Sequence, residues 1–128
     1  MEAEFKRLAE FFIATMRANV GVELGYDESS VEWADGFVER QRERFRDDAT
    51  GLVNVVGSFL GECVIANFGG RWSEHETGGW GVLFDAGTTA FPFAKVSKQF
   101  ANGREGGDSI HSFYTTIPVI LRSLDDVD

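Results

Sequence analysis

Few residues of this chain could do chemistry. One cysteine, Cys63, and two histidines, His75 and His111, are the whole supply for thiolate or imidazole chemistry. Nucleophilic catalysis needs an activated serine or cysteine with a base in reach. Nothing around Cys63 supports that role: it lies mid-run among apolar neighbours, where a thiol serves as a small hydrophobe and no internal disulfide can form. Metal binding needs three or four ligands at workable spacing. Glu74-His75-Glu76 instead puts neighbours on opposite sides of a strand or splays them on a turn, and neither Cys-x-x-Cys nor His-Glu-x-x-His occurs. His75 reads as a solvated hairpin residue. The glycine-rich run from Gly103 to Asp108 lacks both the Gly-Lys-Ser/Thr ending of a phosphate loop and a preceding strand, so it reads as a flexible connector. No catalytic residue, metal or cofactor is expected.

Glu62 is the polar residue with the most varied options. It follows Asn54 and Ser58 at intervals of four, which on a helix forms one narrow polar stripe. The stripe either faces water, or buries Glu62 beside a cation such as Arg71, Lys95 or Lys98, or places it in a pocket as a general acid or base. In the pocket reading Glu62, Arg71, Trp72 and Lys98 are the lining candidates. Asp27, Glu28, Glu32 and Asp35, with Glu23, form a second group that holds five negative charges and no basic residue. That acidic stretch is the candidate surface for a basic protein partner.

The stretch that positions these groups runs from Leu52 to Trp72. Its seventeen residues from Leu52 to Phe68 are apolar enough to be a helix buried on nearly all sides, with Gly57 and Gly61 letting another backbone approach closely. Each glycine costs about 1 kcal/mol relative to alanine in a helix, so the space should be used. Gly69-Gly70 ends it. A membrane span is disfavoured, because the run falls short of about 20 residues and carries Glu62 near its middle.

Ahead of it, Phe5, Leu8, Phe12, Met16 and Val20 trace one face of an amphipathic helix that stops at Gly21. Ser29 and Glu32 form a capping box for a second helix reaching about Asp47. Asp47, Asp48 or Thr50 caps the central helix. After Trp72 the period drops to two: Arg71–Ser73 and Trp80–Phe84 flank the turn-prone Glu76–Gly79 as an antiparallel hairpin, and Thr88–Phe91 makes a third strand ended by Pro92. Phe93–Ala101 is a short helix stopped at Asn102-Gly103. Asp108 or Ser109 caps a last helix through Leu121, with Pro118 predicting a kink or a break after Thr116, and Leu124–Asp128 a frayed tail.

Together these pieces predict one α+β domain over residues 1–128: two N-terminal helices and a buried central helix packed on a small antiparallel sheet, with two C-terminal helices. Twelve phenylalanines and three tryptophans supply a core without staples. A net charge of −9 argues against nucleic acid and anionic membrane as partners. The start MEAEFKR has no secretory pattern, so the cytoplasm is the expected compartment.

Three pieces in this order resemble an uncharacterised bacterial domain family: Tyr26-Asp27-x-x-Ser30, then Gly57-x-x-x-Gly61-Glu62 with Gly69-Gly70-x-Trp72, then Phe91-Pro92-Phe93 followed by Lys98 and Asn102-Gly103. The resemblance covers about residues 24–115. It implies a stand-alone or accessory domain with no assigned reaction, some relatives acting as partner-binding or immunity-type proteins. The functional expectation is a non-catalytic protein-interaction domain, with an immunity-type toxin inhibitor as its specific form. The alternative is a small-ligand-binding domain or enzyme with its site around Glu62, between the central helix and the sheet. Oligomeric state is left open.

Overall fold

A computed structural model of the protein describes residues 1–76 and 79–125. The described residues form five α-helices and a three-stranded antiparallel sheet of order β1-β2-β3, which is the α+β class the sequence predicts. Helix α1 (Glu2–Val20) buries Phe5, Ala9, Phe12 and Met16 and closes at Gly21, whose φ of 77° is the left-handed geometry of a helix stop. Val20, expected on the same face, is exposed.

Helix α2 spans Glu28–Gln41. Its start differs from the expected capping box at Ser29. Asp27 is the cap, with its carboxylate accepting from Ser30 N–H at 2.8 Å and from the Ser29 hydroxyl at 3.1 Å. A carboxylate two residues earlier satisfies a first-turn N–H, that of Ser30, and adds a favourable charge at the positive end of the helix dipole. The helix also stops at Gln41 instead of near Asp47.

Helix α3 (Thr50–Phe68) is the centre of the core. Asp48 accepts from Thr50 N–H at 3.0 Å just before it. Its 19 residues have the length and composition of a membrane span. Here its middle is enclosed by protein: Val56, Phe59, Leu60, Cys63 and Val64 have no exposed surface, whereas Thr50, Asn54, Ala66 and Asn67 at its two ends are exposed. The two glycines admit aromatic rings, not the backbone expected there. A Cβ on Gly61 would run into the Trp72 indole, and one on Gly57 into the Phe93 ring. Phe5 packs between these rings, with its centroid 4.5 Å from that of Trp72 and 5.1 Å from that of Phe93. The two notches thus let aromatic side chains pack directly against the helix backbone.

Strands β1 (Arg71–His75) and β2 (Gly79–Leu83) pair with Trp72 opposite Val82, and β3 (Thr89–Ala90) pairs with the end of β2. Trp72 and Val82 therefore share the face that covers α3. The expected hairpin turn includes Thr77 and Gly78, which lie outside the described residues, as do residues 126–128 of the expected tail. His75 stands in the hairpin as expected, in β1, but is half-buried instead of solvated, its ring edge-on to Phe91 and its Nε2 3.2 Å from the Thr89 hydroxyl.

Helix α4 (Pro92–Asn102) starts on a proline and closes at Gly103, φ 73°. The expected flexible connector after it contains one 3-10 turn, Arg104–Gly106. Helix α5 (Ile110–Asp125) follows, with the Ser109 hydroxyl accepting from Ser112 N–H at 3.2 Å. It continues through Pro118 without a break. Leu124 and Asp125, expected in a frayed tail, are its last residues.

Candidate functional site

The acidic stretch of α2 divides in two once folded. Asp27, Glu28 and Glu32 are exposed. Hydrogen bonding from Ser30 holds the Asp27 carboxyl below the usual carboxylate range, so its charge persists while it caps the helix. The Glu28 and Glu32 side chains are 63% and 68% exposed, and both approach one imidazole: His111 Nε2 lies 3.3 Å from a Glu28 oxygen and 3.6 Å from a Glu32 oxygen.

Asp35 does not belong to that surface. It is 1% exposed and points into the junction of α2, α4 and α5. Its carboxylate accepts from the Ser109 hydroxyl at 2.5 Å, from His111 N–H at 3.1 Å, from the Gln99 amide at 3.2 Å and from Arg104 Nε. Burial works against its charge, but these hydrogen bonds and the guanidinium outweigh it and keep the carboxyl below its ordinary value. The helical period carries Asp35 onto the inner face beside Val31, Ala34 and Val38, where only a satisfied carboxylate is tolerable.

Gln99, fully buried, completes the arrangement. Its carbonyl accepts from Ile110 N–H at 2.9 Å, while its amide donates to the Asp35 backbone carbonyl at 3.3 Å and to Glu39 at 2.9 Å. The first N–H groups of α5 are therefore capped by side chains from two other helices. Arg104, half-exposed, and Glu32, Asp35, Ser109, His111 and Ser112 line an open recess of about 450 Å³ beside this junction. Sequence reasoning missed Gln99, Arg104 and His111 as partners of α2. Gln99 alone carried a signal, a polar residue three after Val96 on the apolar side of its helix.

The Glu62 group assembles in part. Glu62 is half-buried and accepts the indole N–H of Trp72 at 2.8 Å; the Ser58 hydroxyl instead donates to the Asn54 carbonyl at 2.7 Å. Arg71 and Trp72 do line a recess of about 310 Å³ with Glu62, but Lys98 does not. It is exposed on α4, and Lys6 of α1 stands in the recess with Glu2, Ala3, Ile65 and Gly70. The cavity is therefore a charge-rimmed cleft between α1, α3 and β1, unlike the deep apolar pocket that would favour a ligand site centred on Glu62. Cys63 is fully buried, and desolvation pushes its thiol well above the ordinary range, which removes it as a nucleophile at neutral pH. Among the described residues no three His, Cys, Asp or Glu side chains are grouped to hold a metal ion.

Comparison with family models, with curated proteins and with solved structures finds no match to the chain.

Proposed function

We propose that the chain is a non-catalytic protein-interaction domain whose acidic surface, Asp27, Glu28 and Glu32, receives a basic protein partner. The observation that carries this reading is the exposure of the Glu28 and Glu32 carboxylates on a helix whose position is set from inside by Asp35. Charged groups held in a fixed array on a rigid element steer a partner and fix its register, and they do so without ordering a loop first. The net charge of −9 favours the same class of partner at long range. An immunity-type inhibitor of the bacterial cytoplasm, covering the basic site of a toxin, is the specific form of this role, with Asp35 acting from beneath the surface. The buried, unreactive Cys63 and the indole-bonded Glu62 support a non-catalytic role over an enzyme centred on Glu62.

Affinity capture from native extract at low and at high salt tests the proposal, using the wild-type chain and a Glu28→Lys/Glu32→Lys variant. A partner retained at low salt, released at high salt and absent from the variant is the expected result. Capture that ignores both salt and charge reversal overturns it.

A further inference from the structure

A second groove, which adjoins the recess beside Asp35 at Ser109 and Ser112, runs between the sheet and α5 with a volume of about 350 Å³. Its α5 wall is one helical face, Ser112, Phe113, Thr116, Ile117, Ile120 and Leu121, with Ser109 just ahead of the helix. The facing wall comes from Phe84, Thr88, Thr89 and Ala90, held by a tight turn in which Phe84 N–H donates to the Thr88 carbonyl at 3.0 Å and Gly87 N–H to the Phe84 carbonyl at 2.9 Å. One wall is a helix and the other a strand end with a hydrogen-bonded turn, so the groove exists in the folded chain without a ligand.

Its lining is graded. Toward the start of α5 stand the hydroxyls of Ser109, Ser112 and Thr116 and the ammonium of Lys95; toward the end stand Ile117, Ile120 and Leu121. Ser109 and Thr116 spend their hydroxyls on Asp35 and on the Ser112 carbonyl. Lys95 donates to Asp108 at 3.0 Å, and an ammonium has further N–H groups to offer. We infer that this groove binds a small amphiphile, an unbranched aliphatic monocarboxylate lying along α5 with its head at Lys95 and Ser112 and its tail at Ile117, Ile120 and Leu121. The volume falls in the range of small-molecule sites, which start at about 300 Å³. From Ser112 to Ile120 the helix rises about 12 Å, the length of a chain of roughly ten carbons. One cation beside hydroxyls at one end and aliphatic side chains at the other suit a ligand with a single charged head and an apolar tail.

Calorimetric titration of the intact chain with sodium decanoate, below its micelle concentration, tests the assignment, with decanol and acetate as comparisons. Decanoate should bind saturably at one site, decanol several-fold more weakly and acetate not at all. Ile120→Glu places a carboxylate at the half-exposed rim of the apolar end, where the fold tolerates it, and should weaken decanoate by at least about tenfold. Lys95→Met should bring decanoate down to the level of decanol, with far-UV circular dichroism confirming that the helices persist. Absence of saturable decanoate binding, or binding indifferent to Ile120→Glu, overturns the inference. So does a wild-type dimer that Ile120→Glu dissociates, since the face would then belong to a second copy of the chain.

Discussion

Glu32 and Asp35 are one helical turn apart on α2, carry the same charge and have opposite fates. The Glu32 side chain is 68% exposed and meets His111 at 3.6 Å, a contact of the kind that contributes little to stability. Asp35 is enclosed and accepts four hydrogen bonds from three separate segments, ending with the first turn of α5. Equal charges thus do different work: one organises three helices, the other is available to a partner. The difference teaches that a run of acidic residues on a helix is not one surface. The 3.6-residue period assigns each carboxylate to its own side, and a carboxylate on the inner side persists only where donors converge on it.

This contrast can be broken most directly at Asp35. Replacing it with alanine leaves the Ser109 hydroxyl and His111 N–H without their acceptor, and should cost about 3 kcal/mol in urea unfolding. A loss no greater than that of an exposed glutamate would make the two carboxylates equivalent. Next in size is Gln99→Leu, which strands the buried Ile110 N–H and should cost about 2 kcal/mol in the same measurement. Ser109→Ala, which removes one hydroxyl donor to Asp35 and the acceptor for Ser112 N–H, should cost about 1 kcal/mol.

Acid sharpens the comparison. Because the folded protein holds the Asp35 carboxyl below its ordinary value, its stabilisation is complete above the unfolded value of about 3.9 and is lost as pH falls through the lower, folded value. The stability gap between wild type and Asp35→Asn, read from urea midpoints, should therefore be constant from pH 7 to pH 5 and narrow below pH 4. A gap that widens on acidification contradicts the assigned direction. At the small end, Glu28→Gln and Glu32→Gln should each change stability by less than about 0.5 kcal/mol while weakening capture of a basic partner. A stability loss as large as that of Gln99→Leu would show that the outer carboxylates are structural too.

Local chemistry and periodicity made most of the architecture legible. The apolar spacing of Phe5, Phe12 and Met16 and the run from Leu52 to Phe68 locate two helices. Gly21 and Gly103 mark helix ends by their positive φ, and the change of period after Trp72 marks the sheet. These features depend on neighbours within a few residues, which is the range over which a sequence pattern can be read directly. The two glycines of α3 were legible as notches, but their occupants were not, because Phe93 and Trp72 reach them from elements formed by separate parts of the chain.

What the sequence alone determined is the inventory: five amphipathic or apolar helices, a short hairpin sheet, and a surplus of carboxylates over basic side chains. What only the tertiary structure decided is which carboxylate is sealed inside. Asp35 meets Gln99 across 64 positions and Ser109 across 74, so its environment exists only after α4 and α5 have docked. Lys98 and Glu62 fail to meet for the same reason in reverse, since α4 presents that lysine to solvent and α1 supplies Lys6 instead. Burial and hydrogen bonding of a charge are properties of packed neighbours, and no local pattern encodes them.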